Sequence, residues 1–134
     1  MRREILLTAE PINESALNAG RQIERNQGAV VTFLGYVRDL EKGEGIEGLE
    51  YEAFPEMAYH HFNRIFDQVG ERWPISSIRL VHRLGFVAAN EPSLWVEVIS
   101  PHRGEAFQAC QHLIEEMKNV VPIWKQARFG REKG

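Results

Sequence analysis

The sequence predicts an α+β fold, a mainly antiparallel sheet with helices packed on one side. Two observations lead to this prediction. The elements follow the order β-α-β-β-α-β-β-α with short connections, and strands that follow each other without a helix between them pair as antiparallel hairpins. Two helical stretches each have one apolar face, which is typical of helices that cover a sheet. The 134 residues are expected to form one domain, 1–134.

The first half of the chain is predicted to contain three strands, with a helix between the first two and a loop before the third. Residues 4–8 predict a short strand, and the stretch from about Asn13 to Asn26 predicts a peripheral helix. The run 29–37 is almost entirely β-branched and aromatic, which is typical of a strand buried on both faces. Glycines among the charged residues of 39–48 predict a mobile loop, and 49–54 alternates as a strand with one face in water.

The second half contains the two amphipathic helices. One is predicted from Pro55 to about Arg72, and the last from about Arg103 to Val120, where Pro122 ends it. Between them, residues 78–84 and 94–100 read as strands joined by a turn-rich link, 85–92. The apolar residues that share the inner faces of the two helices are Ala58, Phe62, Ile65, Phe66 and Val69, then Ala106, Cys110, Leu113, Ile114 and Met117.

Composition excludes several classes of function. A net charge of −3 argues against general nucleic-acid binding, which needs many cationic side chains. The single cysteine, Cys110, cannot form an intrachain disulfide or a cysteine-cluster metal site, and it fits a reducing compartment. The apolar opening, Ile5–Leu7, is too short for an export signal, and no segment approaches the ~20 apolar residues of a membrane span. A cytoplasmic location with no nucleic-acid or membrane partner is expected.

Two cations open the last helix. The first turn of a helix carries unpaired N–H groups and a partial positive charge, so His102 and Arg103 disfavour the helix there unless an anion compensates. A bound phosphate would supply that anion. The alternative is that Arg103 pairs with Glu105 or another carboxylate while His102 lies in water. Spacing alone leaves both interpretations open.

Two lysines lie at the end of the last helix and just beyond it, and an arginine follows the most hydrophobic strand. Lys118 lies on the flank of the apolar stripe, where it is either a lysine whose stem covers apolar surface or a general acid, base or nucleophile at the rim of a pocket. Lys125 follows Pro122-Ile123-Trp124. Either this segment fixes the backbone so that Lys125 lies in a site, or Trp124 anchors the chain end to the core and Lys125 lies in water. Arg38 could bind phosphate with two hydrogen bonds.

The remaining candidates are weaker. His82 lies on an alternating strand without an evident partner, and Cys110 faces the helix core as a small packed hydrophobe. His60 and His61 diverge by about 100° on a helix and do not form a metal pair. The chain has no nucleophile elbow, phosphate loop or zinc-binding spacing, so neither a metal nor a cofactor is expected.

Taken together, these residues resemble one family, the large (catalytic) subunit of molybdopterin synthase. The resemblance covers most of residues 28–125 in the order typical of the family. One departure is Ala127, because the family commonly has an acidic residue two positions after the second lysine. The matching stretches are residues 28–38, 49–58, 81–85, 100–103 with Ala106 and Phe107, and Lys118 with 122–125.

The resemblance implies an α/β-hammerhead-like fold and a sulfurtransferase. The family forms the molybdopterin dithiolene from cyclic pyranopterin monophosphate in molybdenum cofactor biosynthesis. The two sulfurs come from the thiocarboxylated C-terminus of a small ubiquitin-like subunit. The large subunit forms a homodimer within a heterotetramer. By this likeness Lys118 and Lys125 are catalytic, and Arg38, His102 and Arg103 bind the substrate with them.

Two other functions are compatible with the same residues. One is a non-catalytic module that binds a phosphorylated ligand or an acidic C-terminal tail. Such a module should tolerate Lys118→Arg, because the charge is kept, whereas an acid–base or nucleophilic lysine should not. The other is a structural dimer in which the cations only pair with carboxylates of a neighbouring protomer, and it predicts that removal of Arg103 dissociates the dimer.

Overall fold

Residues 1–130 are described by a computed structural model, and they contain eight strands and three helices. Their order confirms the predicted α+β class. The elements are β1 (Arg2–Thr8), α1 (Glu14–Ala19), β2 (Ala29–Tyr36), β3 (Leu40–Glu41), β4 (Glu44–Ala53), α2 (Pro55–Arg72), β5 (Ser77–Arg83), β6 (Gly85–Ala88), β7 (Pro92–Ser100), α3 (Arg103–Val120) and β8 (Ile123–Phe129).

The larger sheet has the strand order β1-β5-β7-β2 and carries α2 and α3 on one face. β5, β7 and β2 pair antiparallel, whereas β1 pairs parallel with β5, so the sheet is mixed. Alternate residues of each strand point at the helices, as the twofold period of a strand requires. They bury a common core with the inner faces of α2 and α3, including Ile78, Leu80, Val96 and Val98.

The two long helices form as the sequence predicts. Pro55 occupies the first turn of α2, where its missing N–H costs nothing, and its five predicted core residues are all buried. In α3 four of the five predicted residues are buried and Ile114 packs partly against the core. Neither helix, nor α1, combines the length and apolar character needed to cross a membrane.

The smaller sheet is built around β4. This strand pairs with β8 over most of its length, with β6 in its second half, and with β3 at its start. Gly48 of β4 is required by close packing, because a Cβ atom there would lie 2.2 Å from the carbonyl oxygen of Val87. The sheet encloses a second, smaller core formed by Val37, Ile46, Leu49, Tyr51 and Val87.

Three local predictions were wrong, and one strand was not predicted. The helix predicted over 13–26 is only α1, which Asn13 caps and Gly20 ends, because the segment has too few apolar residues to continue on a core. The predicted loop 39–48 contains the β3–β4 hairpin, whose Lys42 and Gly43 both have positive φ, as a tight two-residue turn requires. The link 85–92 contains β6, and the segment after Pro122 forms β8.

The strand predicted over 29–37 to be buried on both faces is an edge strand. None of the residues in β2 is fully buried, and Tyr36 is 53% exposed. Its inner face contacts α3, but the outer face and the free edge lack a covering layer within residues 1–130. Hydrophobic composition predicted a strand here correctly, but its position in the sheet depends on pairing that the local sequence does not encode.

Candidate active site

Lys118 and Lys125 line one pocket at the junction of the two sheets. The pocket has a volume of about 410 Å³ and lies beside the C-terminal end of α3. Aromatic and apolar side chains make up most of its wall, with a few polar groups among them. Its lining residues are Phe33, Gly35, Tyr36, Tyr51, His82, Ser93, Leu94, Met117, Lys118, Val121, Ile123 and Lys125.

Two different elements bring the lysines together. Lys118 lies in the last turn of α3, next to the buried Met117. Lys125 lies on β8 directly opposite Tyr51 of β4, so both side chains leave the same face of the smaller sheet. Trp124 therefore points to the opposite face, where it contacts Phe54 edge-on with ring centroids 5.3 Å apart. Trp124 thus packs on the face of β8 opposite to the pocket, and Lys125 faces the pocket.

The floor of the pocket is a chain of buried polar side chains. The Tyr51 hydroxyl donates a hydrogen bond to Ser93 Oγ at 3.3 Å, and Ser93 donates to the Gly35 carbonyl at 3.4 Å. The Tyr51 ring packs edge-on against the His82 ring, with centroids 5.1 Å apart. These contacts join β4, β5, β7 and β2, so the floor is held by both sheets.

The charge of the pocket is positive. None of its lining residues is an aspartate or a glutamate. Within residues 1–130, neither lysine forms an ion pair, although six arginines there do. Both lysines are exposed in the single chain. Two ammonium groups in a pocket without carboxylates attract an anion.

The other predicted site residues do not line this pocket. His102 and Arg103 are at the opposite end of α3, and 15 residues at 1.5 Å per residue separate Arg103 from Lys118 by about 22 Å. Arg38 is exposed, two residues beyond Tyr36, and does not line the pocket. The alternative expectation, an ion pair between Arg103 and Glu105, is not found in the part of the chain that the structure describes.

A second groove meets the pocket at Phe33 and Lys118. It has a volume of about 450 Å³ and runs between β2 and α3, with Phe107 and Ile114 in its wall. Phe107 is 60% exposed, which is high for a residue of its size. The groove therefore offers an apolar approach along the β2 edge to one of the two lysines.

Sequence reasoning missed Tyr51 and Ser93 and set His82 aside. The available signal was the twofold alternation of β5, which places His82 on the same face as Ile78 and Leu80 and therefore toward α3.

The expectation for Cys110 agrees with the structure, because the thiol is buried and burial raises its pKa to about 11. Among residues 1–130, no three or more histidine, cysteine, aspartate or glutamate side chains cluster as metal ligands.

Comparison with known proteins identifies the family. The family model described as MoaE protein matches residues 7–120. The chain belongs to the MoaE family. The molybdopterin synthase catalytic subunit of Staphylococcus aureus is 42% identical over 104 residues, which cover 78% of this chain and 70% of that protein. The corresponding Staphylococcus carnosus subunit is 37% identical over 124 residues, covering 92% and 82%.

Solved structures support the MoaE assignment. The crystal structure of molybdopterin synthase from S. aureus matches with a TM-score of 0.84 and 38% identity, covering 96% of this chain and 91% of that one. A Helicobacter pylori complex of subunits 1 and 2 of molybdopterin-converting factor shares the fold, with a TM-score of 0.74 and 22% identity over 98% and 92%. These findings confirm the resemblance drawn from the sequence and the predicted function: a molybdopterin synthase catalytic subunit, a sulfurtransferase of molybdenum cofactor biosynthesis.

Proposed function

We propose that the pocket between Lys118 and Lys125 binds cyclic pyranopterin monophosphate and is where its two dithiolene sulfurs are installed. The observation that carries this proposal is the convergence of two lysines, from α3 and β8, in a pocket without a carboxylate. The substrate is a cyclic phosphate, so cations are needed to bind it and to stabilise negative charge as the phosphate ring opens. The aromatic wall suits the flat ring system of a pterin.

The lysines have the catalytic roles in this proposal. Attack of a thiocarboxylate on the pterin side chain requires proton transfers, and an ammonium group within the pocket can donate a proton and take one back. Each attack forms a C–S bond as an oxygen substituent leaves the pterin side chain, and it gives a thioester between donor and pterin. Water then cleaves the thioester, so the sulfur stays on the pterin, the donor ends as a carboxylate, and each product consumes two donors. Both ammonium groups can also neutralise the donor's carboxyl terminus. No metal or cofactor has a role in these steps.

The sulfur donor in this proposal is a small ubiquitin-like subunit with a thiocarboxylated C-terminus. The groove between β2 and α3 supports its entry, because an extended tail in that groove would reach Lys118. The two-subunit composition stated for the H. pylori complex is consistent with such a partner. We place the reaction in the cytoplasm and in a single domain, 1–134, in keeping with the one buried, free cysteine.

We further propose that a homodimer completes the substrate site, within a heterotetramer. Arg38, His102 and Arg103 are exposed and do not line the pocket that holds the lysines of their own chain. The proposed dimer brings these residues of one protomer to the lysines of the other, and because an isologous interface is reciprocal, the same arrangement occurs twice. The five cations would then share one phosphate-binding site, formed by two chains.

A reconstituted conversion assay tests the proposed reaction. Purified protein is mixed with cyclic pyranopterin monophosphate and a thiocarboxylated small subunit, and dithiolene product is measured for the wild type, Lys118→Ala and Lys42→Asn. The control removes a lysine from the β3–β4 turn, where asparagine tolerates the positive φ. We expect product from the wild type and the control and almost none from Lys118→Ala. Equal product from all three proteins would refute the role of Lys118.

Mixing inactive variants tests the shared site. Lys118→Ala and Arg103→Ala are each expected to be nearly inactive. If the site is shared, random reassociation of equal amounts restores about a quarter of the wild-type sites, because each mixed dimer has one intact site. If Lys118 and Arg103 acted within one chain, no mixed dimer would contain an intact site, and activity would stay at the level of the single variants.

A further inference from the structure

His82 is a pocket residue to which the sulfur-transfer proposal assigns no role. It lies on the floor of the pocket, 5% exposed, against Tyr51 of β4, and lines the same pocket as the two lysines. The polar groups of a ring at such a place form hydrogen bonds to the protein, to water or to a ligand. One of its two nitrogens is satisfied by the protein.

The bond to the backbone fixes the tautomer of the ring. His82 Nδ1 lies 2.6 Å from the carbonyl oxygen of Arg83. A carbonyl oxygen can only accept, so Nδ1 carries the proton and donates it. This is the one hydrogen bond of the ring within residues 1–130. In the neutral ring, Nε2 therefore has a lone pair and no partner in the described part of the chain.

The surroundings keep the ring neutral. Burial lowers the pKa of His82 below its ordinary value of 6.5, and the bond to Arg83 opposes this only in part. Tyr51 packs edge-on against it, and the other titratable side chains that line the same pocket are Tyr36, Lys118 and Lys125. Nε2 is therefore a hydrogen-bond acceptor near pH 7.

We propose that His82 Nε2 accepts a hydrogen bond from an N–H or O–H group on the ring system of the bound pterin, and so determines specificity. The inference rests on the proposed function and deepens it. The charged ammonium groups of the lysines can only donate hydrogen bonds, so they recognise the anionic end of the ligand. A pterin ring also carries N–H groups, which need an acceptor when they leave water. His82 supplies that acceptor on the pocket floor, whereas the lysines are at the rim.

Two variants separate this role from a structural one. In His82→Asn the side-chain amide can still donate to the Arg83 carbonyl, but nothing reaches the position of Nε2. In His82→Gln the longer side chain can place its amide oxygen near that position and keep the acceptor. We expect His82→Asn to weaken binding of cyclic pyranopterin monophosphate by roughly tenfold or more. We expect His82→Gln to restore most of the affinity.

Calorimetric binding to the full chain, with thermal unfolding of each variant, measures these effects. If the wild type and His82→Asn bind equally, or if only His82→Gln loses affinity, His82 is structural and the inference is overturned. If the wild type itself does not bind the pterin, the proposed function fails and the inference fails with it. These two failures are distinguished by the wild-type titration alone.

A second measurement needs no variant. The ¹⁵N chemical shift of His82 Nε2 in the wild-type protein reports whether that nitrogen accepts a hydrogen bond. We expect the resonance to change when cyclic pyranopterin monophosphate saturates the pocket, while the Nδ1 resonance stays that of a protonated nitrogen. An Nε2 resonance that is unchanged at saturation overturns the inference, even if a variant fails to fold.

Discussion

Replacement of Glu97 by glutamine should destabilise the protein strongly. Glu97 is 1% exposed and accepts two hydrogen bonds from Arg79, both at 2.8 Å, and one from Arg21 at 2.7 Å. Burial raises the pKa of this carboxyl, but the bonds from Arg79 and Arg21 outweigh burial and leave the pKa below its ordinary value of 4.5. The carboxylate is therefore charged at pH 7 and neutralises two guanidinium groups.

The size of the effect follows from this burial. A glutamine amide has one acceptor oxygen, and its NH₂ group would face a guanidinium donor. Arg79 is largely buried and stacks on Trp95, so its charge cannot move easily into water. Breaking a buried ion pair by removing one partner costs about 3–5 kcal/mol. Arg21 is more exposed and can recover hydration, so we place the cost near the lower end, about 3 kcal/mol.

Urea unfolding at pH 7 measures this cost, with Glu50→Gln as the control. Glu50 pairs with Arg128, which is mostly exposed, so its loss should cost less than about 1 kcal/mol. The same chemical change is thus made at a buried and at an exposed ion pair. If Glu97→Gln costs no more than the control, the reasoning about buried charge is refuted.

Two further predictions concern the smaller sheet and the pocket floor. Gly48→Ala should weaken the pairing of β4 with β6, because the added Cβ would meet the Val87 carbonyl and the Phe86 ring. We expect the free energy of unfolding to fall by at least about 2 kcal/mol. An unchanged free energy of unfolding would contradict the close approach of the two strands. Lowering the pH from 6.5 to 5.5 should lower the free energy of unfolding, because unfolded His82 takes up a proton that the folded ring does not. Between the lowered pKa and 6.5 the slope approaches about 1.4 kcal/mol per pH unit, and it should flatten in His82→Gln. An identical slope in that variant would show that other groups cause it.

The two long helices were the most predictable part of the fold. The bounds predicted for α2 and α3 match the structure, because a long amphipathic period, an N-terminal proline and a following proline are local signals. β8 was not predicted, because Lys125-Gln126-Ala127-Arg128 is not apolar and forms a strand only by pairing along β4. Ala127 contributes to this strand by packing against the second core opposite Leu49.

The candidate site was predictable by residue type but not by assembly. The flank position of Lys118 on α3 can be read from helix periodicity. Its meeting with Lys125 depends on β8, and the roles of Tyr51 and His82 depend on how the two sheets join. These are contacts between distant segments, which neither spacing nor periodicity encodes. The helix also places Arg103 far from Lys118, a separation that follows from helix rise once the length of α3 is known.

The most direct test of the central claim, that Lys118 does chemistry and does not merely attract an anion, is Lys118→Arg in the reconstituted synthase. One single-turnover experiment measures both the affinity for cyclic pyranopterin monophosphate and the rate of dithiolene formation. We expect the affinity to remain near that of the wild type and the rate to fall by about 100-fold or more, because guanidinium keeps the charge but does not exchange a proton at neutral pH. A variant that forms product at the wild-type rate would contradict this account and would leave Lys118 with a binding role only.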